Sequence, residues 1–467
     1  MEGVAKKCVE VRDVVSGDEG ADTGASPFID AVIGADVRLT GMTPDDFARV
    51  RQFFEFPNPD YVTAVRLDKS VHGIPSTVMA WSRDGDAICI PRGGFRRIRE
   101  EFRWRVLPDD RRPRAVRIAR PVEVPMRDYQ REAVDAFCRT GMGHIVVPCG
   151  GGKTRIAMGI IGRLGVRTCV LVHTRDLMLQ WEKNLKEMGL DRIAQVRTIQ
   201  GLLDVPKCDL VVLDEAHHVA AVTFRDLIDT CPAVYRLGLT ATPKREDGLT
   251  AFLDLYLGPK VYEATHQMLV EKGVLVVPEI RTVFTRFSFP YKTRDGHMDP
   301  KEYHAMVEAL CNDEERNSLV ADTVAGAIEP KDIGIVLSGR VEHAKHLAEI
   351  LNARGIRAGV LTGGMSDKRR YGTMLDAAEG RISVICATTV ADEGLDLPKL
   401  SKVFLAFPSR SMPRTIQRLG RIMRPCRDKG NAVLFDFVDL VGPLKAQAQA
   451  RSRLYAKLLG SCGRVVL

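Results

Sequence analysis

A glycine-rich turn has the composition of a phosphate-binding loop. The segment CGGGKT at 149–154 follows the apolar run HIVVP at 144–148 and precedes a helical pattern, RIAMGIIGRL. Glycine lets backbone N–H groups close around an anion at the start of a helix. Lys153 would add positive charge at the terminal phosphates, and the Thr154 hydroxyl would bind Mg²⁺. The full pattern has glycine where this chain has Val147, so the flanking strand and helix carry the assignment.

An acidic pair at the end of another apolar run would complete this chemistry. In VVLDEAHH, Asp214 would hold Mg²⁺, directly or through water, and Glu215 would orient and deprotonate an attacking water. Taken alone, the pair would equally suit the N-cap of a helix that follows a strand. The phosphate-binding loop upstream favours the catalytic interpretation.

Two sets of short apolar runs, separated by helical patterns, must position these residues. Continuous apolar strands that alternate with helices predict parallel sheets covered on both faces, an α/β fold. A less regular stretch at 260–330 separates the two sets. The first set covers 144–148, 168–173, 208–215 and 235–241, and the second covers 332–337, 357–362, 381–388, 402–407 and 431–437.

The N-terminal region differs from the rest of the chain in its composition and in its pattern of predicted elements. Residues 1–35, rich in Gly, Ala, Asp and Ser, are predicted to form a flexible tail. Residues 36–107 are predicted to form a small α+β accessory domain, and the Pro- and Arg-rich linker at 108–125 predicts that this domain folds separately from the rest of the chain. Its expected elements are a helix at 44–54 and strands at 61–67, 76–81 and 86–90.

A run of arginines closes the accessory domain. Arginines interleaved with aromatic side chains suit phosphate contact and base stacking, which slightly favours a nucleic-acid surface. The alternative is a solvated helix face, offset by Glu100 and Glu101. The run comprises Arg92, Arg96, Arg97, Arg99, Arg103 and Arg105, with Phe95, Phe102 and Trp104 between them.

The bulk properties fit a nucleic-acid partner without requiring one. The 467 residues carry a net charge of +8, which suits a polyanion or simply a basic enzyme. The N-terminus lacks an apolar signal core, and apolar runs of about 18 residues are missing, so we expect a soluble intracellular protein of the cytoplasm, nucleoid or nucleus that is neither secreted nor held in a membrane. The 11 cysteines form no CxxC pair, and Cys169 and Cys386 lie in apolar runs, which predicts buried thiols in a reducing compartment.

The order of the motifs resembles that of a superfamily 2 helicase over about 126–445. VPCGGGKT resembles motif I, DEAH at 214–217 motif II, LTAT at 239–242 motif III, ATTVADEGLDLP at 387–398 motif V and QRLGRIMR at 417–424 motif VI. The resemblance implies two tandem RecA-like domains. The first, at 126–262, would bind ATP, and the second, at 331–467, would come after a connecting, thumb-like region at 263–330.

The resemblance also assigns residues to ATP, which in this superfamily lies between the two domains. RDYQREA resembles the adenine motif, so Gln130 would bind the adenine edge and Arg127 would pack on the base; a solvated helix position is the alternative for Gln130. Arg421 and Arg424 would act as arginine fingers. The full implied set adds Gln417 to the catalytic residues, Gly150, Gly151, Gly152, Gly394 and Asp396 to the nucleotide contacts, and His217, Thr240 and Thr242 as coupling residues.

Strand contacts are implied at loop ends of both domains. HTRDLMLQW at 173–181 and RTIQGL at 197–202 resemble strand-contacting motifs of the superfamily. Hydroxyls and amides at such positions suit phosphates without sequence readout, although each would otherwise cap a loop. The candidates are Thr174, Arg175, Thr198 and Gln200 in the first domain and Ser338, Arg340 and Thr388 in the second.

One further motif resembles a particular branch of the superfamily. In LGLTATPKREDG, the residues Arg245, Glu246 and Asp247 resemble the RED motif of the XPB/Rad25 group of DNA helicases and would contact the strand; a charged surface loop is the alternative. The chain departs from eukaryotic XPB in its DEAH box, which has valine at the third position there, and in its shorter N-terminal region. The resemblance is therefore to the broader XPB-like branch.

The expected function is that of an ATP-dependent DNA helicase or translocase, with ATP and Mg²⁺ as cofactors. DNA is favoured over RNA as the partner, and protein partners stay unassigned. Three alternatives stay open: a double-strand translocase or remodeller without strand separation, an ATP-gated nucleic-acid clamp or sensor, and an RNA helicase. The presence of Glu215, Arg421 and Arg424 favours turnover over a passive clamp.

Overall fold

A computed structural model shows the fold of most of the chain. It describes residues 28–66, 70–102, 104–200, 202, 204–216, 227–228, 230–241, 250–291, 293–294, 297–388, 397, 399–408, 420, 422–423, 426, 431–459 and 465–466. These residues divide into two compact units. One takes residues up to 147 with 152–263, and the other takes 148–151 with the residues from 264 onwards.

The accessory region contains a five-stranded sheet with the order β5-β6-β2-β1-β7. Its strands pair antiparallel except for β1 and β7, which are parallel. Helix α1 starts where the sequence predicts, because the Thr43 hydroxyl accepts from the backbone N–H of Asp46 and a proline comes next at the first helical position. The elements are β1 (Phe28–Ile33), β2 (Asp36–Thr40), α1 (Pro44–Phe53), β3 (Glu55–Pro57), α2 (Pro59–Arg66), β4 (Thr77–Met79), β5 (Ser82–Asp84), β6 (Ala87–Pro91), α3 (Gly94–Phe102) and β7 (Arg105–Asp110).

The first RecA-like domain is built on a six-stranded parallel sheet with the order β10-β9-β11-β12-β8-β13. Every residue of β9 and β11 is buried, as expected of strands covered by helices on both faces. The elements are α4 (Asp128–Thr140), β8 (Met142–Val146), α5 (Lys153–Leu164), β9 (Thr168–Val172), α6 (Arg175–Glu187), β10 (Ala194–Thr198), β11 (Leu210–Leu213), β12 (Tyr235–Thr240), α7 (Ala251–Leu257) and β13 (Lys260–Glu263).

The second RecA-like domain has a seven-stranded parallel sheet with the order β18-β19-β17-β20-β21-β14-β22. The predicted α/β class with two tandem parallel sheets is therefore confirmed. The elements are α8 (His266–Glu271), β14 (Glu279–Phe284), the short hairpin β15 (Thr293–Arg294) and β16 (His297–Met298), α9 (Pro300–Cys311), α10 (Glu314–Ala327), β17 (Ile333–Leu337), α11 (Val341–Ala353), β18 (Ala358–Leu361), α12 (Asp367–Ala378), β19 (Val384–Ala387), β20 (Leu400–Leu405), β21 (Val433–Val438), α13 (Gly442–Leu459) and β22 (Val465–Val466).

Several boundaries differ from those expected. Strand β1 lies inside the predicted tail, the predicted strand at 61–67 is helix α2, and β7 runs into the predicted linker. Strand β14, within the predicted connecting region, pairs along its whole length with β21. Helix α10 packs on the same core through Val320 and Val324. The second domain therefore starts well before residue 331, because β14 lies within its sheet, between β21 and β22.

The accessory region shares its hydrophobic core with the first RecA-like domain. Buried residues of both, such as Ile29, Ile98 and Leu255, form one continuous cluster. Arg92 is buried and donates to the carbonyl oxygens of Ala233 and Val234, at 2.9 and 3.1 Å. The prediction of a separately folding accessory domain is therefore wrong, since linker composition says nothing about which faces are apolar.

The arginine run is tied into this packing. Besides the buried Arg92, Arg96 pairs with Glu100 at 2.7 Å and Arg97 lies over the ring of Phe53, 4.9 Å from its centroid. Trp104 is partly buried, with its ring centroid 4.4 Å from that of Phe102. Phe102 and Trp104 thus pack against each other beside the shared core, and base stacking by these aromatics stays a prediction. Arg103 lies outside the described residues.

A tight backbone contact at Gly93 offers a test of the shared core. Its N–H donates to Leu255 O at 2.8 Å, and a Cβ added there would lie 2.1 Å from Asp254 O. We expect Gly93→Ala to lower the free energy of unfolding by about 1–3 kcal/mol or more, as overpacking does. Urea unfolding followed by circular dichroism measures this. Gly34→Ala is the matched control, because its Cβ would meet its nearest atom at 3.9 Å; equal stability of both variants would contradict the shared core.

The two cysteines singled out in the sequence are buried, as predicted. Burial raises the pKa of the thiols of Cys169 and Cys386 to about 12. Among the helices that the structure describes, none has the length and apolar character needed to cross a membrane.

Candidate nucleotide site

The glycine-rich loop lies between β8 and α5, as the sequence predicts. Gly150 and Gly152 have φ angles of 85° and 82°, a left-handed conformation that side chains disfavour. Helix α5 begins at Lys153, so its first N–H groups and its dipole point toward the loop. A Cβ at Gly152 would lie 2.4 Å from Gln130 Nε2, so glycine is also required there for space.

The acidic pair comes after β11 at the carboxyl edge of the same sheet. Asp214 is buried, and its Oδ1 accepts from the backbone N–H of Glu215 at 3.0 Å. Glu215 has a φ of 47°, the one positive value among the described residues other than glycine. Such backbone strain persists where surrounding contacts enforce it, and it is concentrated at functional sites.

An ion pair joins the two motifs. Lys153 Nζ lies 3.1 Å from Glu215 Oε1, and both side chains are largely buried. Burial and the neighbouring charge of Glu215 raise the pKa of Asp214 to about 6, although Lys153 and a hydrogen bond from Trp181 oppose the shift. The structure thus brings the predicted phosphate-binding cation within hydrogen-bond distance of the predicted general base.

The donor set at this point fits a hydrated Mg²⁺ ion. Thr154 is in the first turn of α5, and Asp214 supplies a carboxylate at the end of β11. Mg²⁺ prefers oxygen ligands and is usually held in proteins by one or two such groups together with substrate phosphates. Thr154 and Asp214 are therefore the residues that would hold the metal.

Gln130 is buried beside the glycine loop, which excludes the solvated alternative. Its Oε1 accepts from the backbone N–H of Arg127 at 3.0 Å, and its Nε2 donates to the Tyr129 hydroxyl at 3.3 Å. Arg127 is exposed at the start of α4 and hydrogen-bonds to Tyr129. Both residues predicted to read the base thus lie at one helix end next to the loop.

The strand-contact candidates of the first domain share an edge of the sheet. Thr198 pairs in register with Val172, so the segments after β9 and β10 leave the sheet side by side. The Thr174 hydroxyl caps α6 by accepting from Leu177 N at 3.3 Å, while Arg175 and Gln200 are exposed. Thr174 therefore has the capping role that was the alternative to strand contact. Because its hydroxyl oxygen accepts in this cap, its hydroxyl proton can still be donated to another acceptor.

The candidates of the second domain are less accessible. Ser338 and Thr388 are buried, and Ser338 N donates to Ala387 O at 2.8 Å. The Ser338 hydroxyl lies 2.9 Å from His343 Nδ1 and accepts from Arg340 N at 3.1 Å. The exposed side chain of Arg340 is thus the group that this loop presents to solvent.

A buried chain of hydrogen bonds fixes that loop. Asn317 Nδ2 donates to Cys311 O at 2.8 Å, which turns Asn317 Oδ1 toward His343 Nε2 at 2.9 Å. His343 must then carry its proton on Nε2, so its Nδ1 accepts from Ser338. Sequence reasoning missed Asn317 and His343, since their role depends on contacts between two helices and a strand end.

His343 predicts an acid sensitivity of the second domain. Burial and the charge of Arg316 lower its pKa from 6.5 to about 3, so the folded chain keeps it neutral where the unfolded chain protonates it. The contribution of neutral His343 to the free energy of unfolding is then fully present above pH 6.5. It is lost as the pH drops toward 3, by up to about 1.4 kcal/mol per pH unit. We expect His343→Gln to flatten the decline of the melting temperature with falling pH; a slope equal to that of the parent would contradict this network.

Thr240 is the coupling candidate that the structure describes. It ends β12, is fully buried, and its carbonyl accepts from Val147 N at 3.0 Å, directly before the glycine loop. Ten other assigned residues lie outside the described residues: His217, Thr242, Arg245, Glu246, Asp247, Gly394, Asp396, Gln417, Arg421 and Arg424.

Family comparisons agree with the motifs. The model for the helicase conserved C-terminal domain matches residues 315–426, and that for the type III restriction enzyme res subunit matches 123–204 and 193–245. The solved structure of the ATP-dependent Type ISP restriction-modification enzyme LlaBIII bound to DNA covers 74% of this chain and 31% of its own, with 14% identity and a TM-score of 0.51, which supports the fold. The two models match different parts of the chain and agree with the resemblance to superfamily 2 helicases.

Two relatives that carry the name XPB are each similar to about two thirds of the chain. The chain is 26% identical to the DNA 3'-5' translocase XPB2 of Sulfurisphaera tokodaii over 68% of this chain and 82% of that protein. It is 27% identical to the DNA 3'-5' helicase XPB of Mycobacterium tuberculosis over 67% of this chain and 60% of that protein.

Proposed function

We propose that the protein hydrolyses ATP and uses the energy to move along DNA in the 3'-5' direction, separating strands as it does so. The observation that carries this proposal is the meeting of Lys153, Asp214 and Glu215 at the carboxyl edge of one sheet. The side chains that we propose to bind phosphate, to hold the metal and to act as the base lie close together there. The names of the relatives in the XPB/Rad25-like branch supply the substrate and the direction.

Each side chain has a defined task in this proposal. Lys153 leaves Glu215 to bind the terminal phosphates, and Glu215 then orients and deprotonates the attacking water. Thr154 and Asp214 would hold Mg²⁺, which would supply positive charge next to the phosphates. Arg421 and Arg424, outside the described residues, are proposed to stabilise the transferring phosphoryl group, with Gln417 beside them in the motif.

Nucleic acid is proposed to run over the carboxyl edges of the sheets. Among the candidates that the structure describes, Arg175 and Gln200 of the first domain and Arg340 of the second are exposed. Contacts of this kind bind phosphates and carry no base specificity. We also propose roles for residues outside the described part of the chain. Strand contact is proposed for Arg245, Glu246 and Asp247, nucleotide contact for Gly394 and Asp396, and coupling of hydrolysis to domain movement for His217 and Thr242.

The decisive experiment measures ATP hydrolysis with single-stranded DNA, duplex DNA and RNA side by side. We expect DNA to stimulate turnover more strongly than RNA does. Stimulation by RNA alone would overturn DNA as the substrate. Slow ATP hydrolysis that none of the three nucleic acids stimulates would favour an ATP-gated clamp.

A second function is favoured by the name of one relative, which is called a translocase. The protein would then track along duplex DNA without separating it. A strand-displacement assay, run beside triplex displacement, distinguishes the two, because a pure translocase removes the third strand and leaves the duplex intact.

A further inference from the structure

Helix α6 reaches the acidic pair through a buried tryptophan. Trp181 Nε1 donates to Asp214 Oδ2 at 2.8 Å, and the two residues are 1% and 6% exposed. Directly before the helix, His173 Nε2 lies 3.3 Å from Glu215 O. The segment from His173 to Trp181 thus contacts the side chain of Asp214 and the backbone of Glu215.

The two hydrogen bonds to Asp214 fix the plane of its carboxylate. Oδ2 accepts from the indole and Oδ1 from the backbone N–H of Glu215. A buried carboxylate without such donors would rotate or take up a proton. Groups that hydrogen-bond to a metal-binding carboxylate typically contribute about 10- to 100-fold to metal affinity or activity.

The start of the same helix carries strand-contact candidates. Thr174 caps α6 and Arg175 is its exposed first residue. From Thr174 to Trp181 the chain makes about two turns of helix, so both lie on one face of a rigid element. A shift of the helix start on contact with a phosphate would therefore move the indole.

We propose that Trp181 is a positioning residue that holds Asp214 in its metal-binding orientation and couples strand binding at the start of α6 to the metal site. The proposed coupling between strand binding and the metal site rests on the proposed function. The proposed positioning of Asp214 by Trp181 concerns metal affinity alone, which can be measured without ATP hydrolysis.

Trp181→Phe tests the proposal, with Trp81→Phe as the matched control. The Trp81 indole N–H is buried without an acceptor among the described residues, so its loss removes no hydrogen bond seen there. Mn²⁺ binding in the presence of ADP is measured by electron paramagnetic resonance, and ATPase rates are titrated with Mg²⁺ with and without DNA. We expect Trp181→Phe to weaken Mn²⁺ binding by about 10- to 100-fold, to shift the Mg²⁺ requirement equally, and to respond less to DNA, while Trp81→Phe matches the parent.

A second measurement leaves Trp181 in place. The chain has three tryptophans, so the double variant Trp81→Phe/Trp104→Phe leaves Trp181 as the sole indole fluorophore. Mg²⁺ added with ADP should shift its emission. Parental Mn²⁺ affinity in a folded Trp181→Phe variant, or emission that ignores Mg²⁺, would overturn the positioning role. A parent protein that binds Mn²⁺ and ADP but never hydrolyses ATP would instead overturn the proposed function and, with it, the coupling.

Discussion

Replacing Lys153 by alanine is expected to abolish ATP turnover and to leave DNA binding intact. Lys153 is the first residue of α5 and follows a loop in which Gly150 and Gly152 adopt left-handed conformations, and we propose that its ammonium group binds the terminal phosphates. Removal of one preorganised hydrogen-bond donor to a transition state typically costs about 10²- to 10³-fold in rate. Colorimetric phosphate release with saturating DNA measures the loss, and fluorescence anisotropy of labelled DNA measures binding.

Lys272→Ala is a suitable control for that variant, because Lys272 is an exposed residue just after a short helix. It should hydrolyse ATP like the parent. Parental turnover in Lys153→Ala would refute the assignment of the loop, and loss of DNA binding would place Lys153 on the strand path instead.

The second large effect is expected from Glu215→Gln, which should bind ATP and stall before hydrolysis. The amide keeps the shape of the side chain but cannot take a proton from water, and it also ends the ion pair with Lys153. General-base catalysis typically contributes about 10²- to 10⁴-fold. Rapid mixing with radiolabelled ATP, and then quenching, shows whether bound ATP is cleaved within one turnover.

Nucleotide affinity separates this variant from a misfolded one. Glu215→Gln should bind a fluorescent ATP analogue at least as tightly as the parent, because Lys153 is no longer engaged by a carboxylate. Weaker binding together with normal single-turnover cleavage would show that Glu215 supports the loop structurally and that another group activates water.

The accessory region requires a different account from the one its composition favours. Its arginine run contributes Arg92 to the interior and Arg96 to a surface ion pair, and its aromatics pack within the protein. Residues 28–110 therefore act first as part of the structural support of the ATP-binding domain. Their removal exposes apolar faces of the shared cluster, so truncation at the linker is expected to destabilise the domain that carries Lys153.

The α/β class, the order of the motifs and the residues of the glycine-rich loop and acidic pair could all be predicted from the amino-acid sequence. These features arise from local patterns, since strand runs, glycine turns and helix starts depend on neighbouring residues. Gln130, Lys153, Asp214 and Glu215 could be named because each belongs to a short motif with fixed spacing.

The contacts between elements that are distant in sequence became visible in the folded chain. The burial of Arg92, the pairing of β14 with the second sheet, the His343 network and the bond from Trp181 to Asp214 all join residues far apart in the chain. Composition cannot reveal such contacts, because an arginine or a tryptophan has the same local pattern whether its partner is solvent, a phosphate or a carbonyl on another strand. The free energy of each contact comes from burial and geometry that arise only when the sheets have formed.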